Sequence, residues 1–282
     1  MVRSGRWERT ARGIYMATAG PADETPFELR RRRVLANVVG TDRRLSSAHW
    51  FSHTSAAVIW GIPAWKMPTT THVLGTRCAS ASRTSSVTTH TGRLVEADLT
   101  EVSGLPVTTL ARTVADCLAT LPPLHGLVIA DGALHRGLSR ADLSAAVAAQ
   151  TARNGSARAR AVLAVADDGA ESPGESATRF VVLRDGLPAP MTQIPVMTRL
   201  GQFWSDLGWE EWLLLMEYDG RLKYASGSDL VEEKRRHDAL VESGRRVLRV
   251  THQDLNGLTK RVLPLLPASV SRSLRPRREL FT

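Results

Sequence analysis

Acidic residues close one apolar run in this sequence, and a third acid lies upstream. In FWSDLGWEEWLLLMEYDG, residues 203–220, the run Leu213 to Met216 ends in Glu217, Asp219 and Gly220, with Asp206 eleven residues before Glu217. A solid apolar run bounded by polar residues suits a strand buried on both faces. Carboxylates at the end of such a strand are costly unless a metal ion or a cationic partner meets them. Period-2 geometry puts Glu217 and Asp219 on one face. A hairpin turning at Trp209-Glu210-Glu211 lets Asp206 approach Glu217. Carboxylates that close repel one another, so a divalent cation is the natural partner. Mg²⁺ (or Mn²⁺) accepts one or two carboxylates, keeps waters and meets a phosphate, which is the chemistry of phosphodiester hydrolysis.

The elements that must hold these acids come from 172 onward, in the order helix, three strands, helix, strand. Ser172-Pro173-Gly174-Glu175 is a capping-box opening, and its helix stops at Gly186-Leu187-Pro188. Strands are expected at 191–197, 202–208 and 212–218, a loop at 220–228, a helix at 229–243 and a strand at 245–251. A helix over 253–266 and a mobile basic tail with Arg272, Arg275, Arg277 and Arg278 follow. Before 172, residues 151–171 form the expected boundary. A helix there, from Ser156 to Ala166, has basic residues in its first turn, opposing the helix dipole. This makes Arg158 and Arg160 candidates for an outside anion, against the plain reading of exposed arginines.

The first half opens on short strands around Gly13 that look like the wing of a winged helix. Pro26 to Val39 reads as a helix carrying Arg30 to Arg33 consecutively, which wraps basic charge around it. SSAHWFSHTSAAVIWGIP, 46–63, reads as a helix with His49 and His53 on one face, a packed pair rather than a metal site. Strand-like alternation fills 70–107. Helices are expected at 110–121, at 124–135 and from the Ser139 cap to Gln150. Cys117 falls on an apolar helix face and reads as core.

The chain has 282 residues, enough for two domains, and a formal net charge of +9. A basic balance favours an anionic partner, nucleic acid first, although an arginine-rich proteome gives the same composition. The two cysteines, far apart, fit free thiols in a reducing compartment. MVRSGRWERT has no apolar core, and no stretch reaches the ~20 apolar residues of a membrane span. No signal peptide and no membrane partner are expected, and a cytoplasmic location is.

With the motifs in place, residues 172–255 resemble the PD-(D/E)xK, or restriction-endonuclease-like, superfamily, and more closely domains related to very-short-patch-repair endonucleases. SPGES (172–176) with Arg179, GLP (186–188), Gln193, Asp206 with Trp209, EYDGRLKY (217–224), EEKRRHDAL (232–240) and VLRVT (247–251) carry the resemblance. Residues 1–150 resemble AbiEi-type antitoxins through SHTSAAVIWGIP (52–63) and GLPVTTLARTVAD (104–116). The expected layout is thus an AbiEi-like domain over 1–150, a linker helix over 151–171, a nuclease-like domain over 172–268 and a basic tail over 269–282. The expected fold is α/β (α+β): a mixed sheet flanked by helices, preceded by a smaller α/β domain with a partial winged-helix-like start.

The resemblance implies roles residue by residue. Asp206 matches the metal-binding Asp, Glu217 the acid of the D/ExK element, and Glu175 the acid of the first helix. The lysine position holds Asp219, so Lys223 or Lys234 must supply the cation, Lys234 from a helical face shared with Leu230, His237 and Val241. Arg158, Arg160, Arg235, Arg236 and Arg249 make up the expected nucleic-acid contacts. Plain structural roles stand beside these. Glu175 could complete the capping box or pair with Arg179, Glu217 could pair with Arg249 or Lys234, and Asp219 could serve a turn. Trp204, Trp209 and Trp212 read as core and sheet-edge packing. The implied function is a Mg²⁺-dependent DNA endonuclease. Its rivals are a non-catalytic DNA-binding regulator, the antitoxin of a type IV toxin–antitoxin pair with a cognate toxin as partner, and a defence component acting on RNA.

Overall fold

A computed structural model describes residues 6–21, 24–75, 86–92, 95–150, 154–220 and 227–281, with backbone only at 227–230 and 233. The fold is mixed α/β, as expected. It divides into two compact units, Met1–Leu121 with Leu138–Ser156, and Pro122–Gly137 with Ala157–Thr282. The division is interleaved, unlike the expected boundary at 150. The helix over 123–135 leaves the first half because its apolar sides are used by the second unit.

The first unit opens on the hairpin β1 (Trp7–Ala11) and β2 (Ile14–Ala17), the wing-like turn the sequence suggests. Helix α1 (Pro26–Asp42) begins at Thr25, whose side chain accepts from Glu28 N–H while the Glu28 carboxylate answers to Thr25 N–H. The consecutive arginines are split among partners, Arg32 to Glu24 and Arg33 to Glu8. A five-stranded sheet follows, in the order β5-β4-β3-β7-β6. Its strands are β3 (His49–Phe51), β4 (Thr71–Gly75), β5 (Val87–Thr91), β6 (Leu99–Val102) and β7 (Leu105–Thr108). Phe51, Val73 and Val107 pack there against Val34 and Val38 of α1 and against Ala56 and Val58 of α2 (His53–Ile59). Helices α3 (Leu110–Thr120) and α5 (Arg140–Ala148) complete the unit, and Cys117 is fully buried, as read.

In the second unit, α4 (Pro123–His135) packs on α7 (Pro173–Arg184), with α6 (Ser156–Val165) between them in sequence. The sheet order is β11-β10-β9-β8, antiparallel except for the parallel pair β10–β11. The strands are β8 (Met191–Thr198), β9 (Gly201–Trp209), β10 (Leu214–Tyr218) and β11 (Arg246–Val250). Helix α8 (Gly227–Glu242) covers one face through Leu240, which meets Ile194, Val196 and Leu215. Helix α7 lies on the other, where the Tyr218 ring fills the space that a Cβ on Gly174 would need.

Two expectations change here. The expected helix over 253–266 shrinks to α9 (Leu258–Val262), since turns occupy 252–257 and Pro264 lies in a 3₁₀ turn. The basic tail is docked rather than mobile. Helix α10 (Ala268–Ser273) is followed by chain in which Arg277 N–H donates to Arg184 O, Leu280 is buried, and Arg184 lies over the Phe281 ring. The buried Leu280 side chain, with the Arg184–Phe281 contact, anchors it despite its arginines.

Candidate functional site

The sheet of the second unit opens at Asp206. The β9–β10 ladder pairs Leu214 with Trp209, Leu215 with Gly208 and Met216 with Leu207; the next residues along each strand are Glu217 and Asp206. Asp206 Oδ2 accepts the Tyr218 N–H at 2.7 Å, taking a donor that the neighbouring strand no longer pairs. The β8–β9 ladder runs from Thr192–Leu207 to Ile194–Ser205 and passes over Gln193 and Asp206. Both ladders are therefore interrupted at one acid.

Both β8 and β9 also change face there. In a regular strand, residues two apart share a face. Yet Thr192 donates its hydroxyl hydrogen to Asp167 before α7, whereas Ile194 and Val196 pack with Leu240 of α8. On β9, Phe203 joins that α8-side cluster. Leu207, paired with Met216, faces away from it, because Leu215 is inside it. The switch turns on Gln193, whose φ is 48°.

Glu217 points to the α8 side and is 7% exposed. Its Oε1 accepts from Arg236 Nη2 at 3.1 Å, and the same nitrogen donates to Trp204 O at 2.8 Å. Arg236 also lies over the Phe203 ring. The expected structural partners of Glu217 were Arg249 and Lys234; Arg236 takes that place because α8 turns residues 236 and 240 to the sheet and leaves Lys234 exposed. Lys234 thus does not approach the acids through the expected helical face. Lys223 lies outside the described residues. Asp219 pairs with Arg249 at 3.6 Å, and its N–H donates to Val250 O, so it belongs to the β10–β11 edge.

Glu175 is buried at the start of α7. Half of the expected capping box forms: Ser172 Oγ accepts from Glu175 N–H, but the Glu175 carboxylate turns back to Glu171 N–H at 2.8 Å. The expected i+4 pair with Arg179 is not made, since Arg179 bonds both oxygens of the buried Asp131. Burial raises the proton affinity of Glu175, and the negative charge of Asp206 raises it further.

Of the expected nucleic-acid contacts, Arg160 and Arg235 are exposed, Arg158 and Arg249 are half-buried, and Arg236 is turned inward. Trp209 is buried with its indole N–H on Pro188 O, and the Trp212 ring lies beside it at a tilt of 38°. Trp204 is 52% exposed, so core packing is not its role.

Could these residues hold a metal? Among the described residues no group of three or more His, Cys, Asp or Glu is arranged as a metal site. Two carboxylates from separate strands nonetheless suffice for Mg²⁺, which keeps its waters. Polar capacity here is also left over. Ser205, fully buried beside Asp206, has a hydroxyl without a hydrogen-bond partner among the described residues. Such under-satisfied polar atoms suit a site completed from outside the chain.

The first unit holds a second polar cluster that the sequence reading missed. His49 lies on β3 with Asp42, not on a helix, so the expected His49–His53 face does not exist. His53 opens α2 at φ 51° and stacks on His90 of β5, ring centroids 3.6 Å apart. His72 of β4 bonds His90 ring to ring at 2.9 Å. Burial pulls the His72 imidazole down to about 4, with His90 adding to it, and lowers His90 as well. The pattern was legible only as isolated histidines, because strand pairing brings 72 and 90 together.

The chain is 32% identical over 163 residues to uncharacterized proteins from two strains of Mycobacterium tuberculosis, a stretch covering 57% of this chain. It spans about 60% of the length of these relatives. No family model and no solved structure matches it. Among the described residues no helix is long and apolar enough to cross a membrane. These likenesses place the chain beside those mycobacterial proteins and carry no activity to it.

Proposed function

We propose that the second unit is a divalent-metal-dependent endonuclease domain acting on the phosphodiester bonds of DNA. The observation that supports this best is the gathering of Asp206 and Glu217 where the sheet opens, with Glu175 close enough for Asp206 to raise its proton affinity. Asp206 and Glu217 would hold a Mg²⁺ or Mn²⁺, which when bound supplies charge stabilisation and positions water for attack at phosphorus. Arg236 stands in for the lysine the superfamily places beside its acids. Its guanidinium cannot act as a base, but its forked donors suit a phosphate. Glu175 is the group we assign to take a proton from the attacking water, because burial and Asp206 make its carboxylate a stronger base than an exposed one. Arg160 and Arg235 would steer the anionic backbone.

The test is nicking of supercoiled plasmid in Mg²⁺ by the wild type and by Glu217→Ala. Nicking by the first and not the second supports the reading. No cleavage by the wild type, or equal cleavage by both, counts against it.

A second reading, a non-catalytic DNA-binding regulator with a cognate toxin as partner, is favoured by one observation. The cation beside Glu217 is a bonded Arg236, and Lys234 is exposed. It expects salt-sensitive binding to a particular operator that survives loss of Asp206 and Glu217.

A further inference from the structure

Among the described residues, four other than glycine have positive φ: His53, Ser103, Gln193 and Leu213. Ser103 lies in the β6–β7 turn, His53 starts a helix and Leu213 follows a 3₁₀ turn. Gln193 alone lies inside a strand. A left-handed conformation costs a residue with a Cβ about 1–2 kcal/mol, and glycine far less. The face switch needs that backbone, but glycine or asparagine would supply it with less strain. Strain retained by a longer side chain points to a use for that side chain.

The surroundings point the same way. Gln193 lies opposite Asp206, at the pair both strands pass over. It is half-buried, and its amide has no hydrogen-bond partner among the described residues. The polar groups nearest in sequence on the facing strand are the acid Asp206 and the unpartnered Ser205 hydroxyl. An amide offers what the carboxylates cannot, an uncharged donor that carries no repulsion toward an anion.

We propose that Gln193 is a substrate-binding residue whose amide donates to a non-bridging oxygen of the phosphate being cut. This rests on the endonuclease reading above and adds an interaction that the reading does not require. A donor of this kind acts mainly where charge develops, so its loss falls on kcat more than on KM.

The full chain carrying Gln193→Gly tests it, because glycine adopts the required backbone and removes the side chain with its amide. Gln193→Asn keeps an amide in a residue that tolerates the left-handed region. Three measurements are made: thermal unfolding, nicking of plasmid in Mg²⁺, and affinity for a short duplex in Ca²⁺. The expected result is a Gln193→Gly protein that melts no lower than wild type and nicks about a hundredfold more slowly. Its duplex affinity falls about three- to tenfold, and Gln193→Asn recovers part of both losses. Gln193→Gly that nicks at the wild-type rate overturns the proposal and leaves a backbone role alone. If the wild type nicks nothing, the endonuclease reading fails, and duplex affinity decides for Gln193. Affinity equal to wild type overturns the proposed hydrogen bond, and weaker affinity with unchanged melting keeps it as a binding interaction.

Discussion

Arg112 in the first unit and Arg236 in the second both face carboxylates, and the two arrangements differ in how far solvent reaches them. Arg112 is buried, bonds Asp116 and Asp98, and Asp116 also accepts from Gln150. Arg179 and Asp131 in the second unit form a similarly buried pair, and one nitrogen of each arginine, Arg112 Nη2 and Arg179 Nε, has no hydrogen-bond partner among the described residues. Around Arg236 the balance runs the other way. Asp206 and Glu217 continue the β9–β10 ladder at neighbouring positions, beside a partly exposed guanidinium, a buried hydroxyl without a hydrogen-bond partner among the described residues and a glutamine of positive φ. A network sealed from solvent serves the fold alone; one that solvent reaches can also be reached by a ligand.

The largest effects should appear where the closed networks are broken. Arg112→Met strands Asp116, and Arg179→Met strands Asp131. Each should cost about 3–5 kcal/mol, read from denaturant unfolding, because an uncompensated buried charge remains. At the open site the ranking reverses. Asp206→Asn and Glu217→Gln should cost less stability than those variants, because each amide keeps an acceptor oxygen and Arg236 stays partly open to water, and should lower Mg²⁺-dependent nicking at least about a hundredfold. A large stability loss at Glu217 would move it into the closed class.

Gly174→Ala sharpens the contrast from the other side of the sheet. The new Cβ would fall 2.0 Å from the Tyr218 ring. Overpacking should cost about 1–3 kcal/mol. It should also slow nicking, because the Tyr218 N–H is what holds Asp206.

The units should answer acid oppositely. His72 and His90 titrate below the usual histidine value when folded, so the unfolded chain binds more protons, and the first unit loses stability as pH falls from about 6.5 toward 4. Glu175 and Asp131 titrate above the usual carboxyl value, so the folded chain binds more protons, and the second unit gains from the same acidification. Unfolding followed by a probe in each unit checks the signs. The smallest effects belong to Arg160→Ala and Arg235→Ala. Stability should stay within about 0.5 kcal/mol, while the salt slope of DNA binding falls by about one for each phosphate that the variant leaves unneutralised.

Much of this was legible in the sequence. The apolar run before Glu217, the Ser172 cap and the stops at Gly186 and Gly244 give the second unit's elements in order. The offset from Asp206 to Glu217 brings the two acids to one end of a hairpin. Arg236 was not legible as their partner, because the rotation of α8 is set by how Leu240 packs, not by spacing along the helix. Nor was the face switch, since alternation predicts one face for Thr192 and Ile194, and only the left-handed Gln193 breaks it. β3 was missed because three residues flanked by a helix give no period. The docked tail was hidden by its charge.

The central claim is that Asp206 and Glu217 form a cradle for a divalent cation. A crystal of the full chain soaked in Mn²⁺ and measured for anomalous scattering tests it most directly. The account predicts a Mn²⁺ peak between these carboxylates, with Arg236 drawn off Glu217. Crystals that diffract well with Arg236 still on Glu217 and no peak at the acids would contradict it.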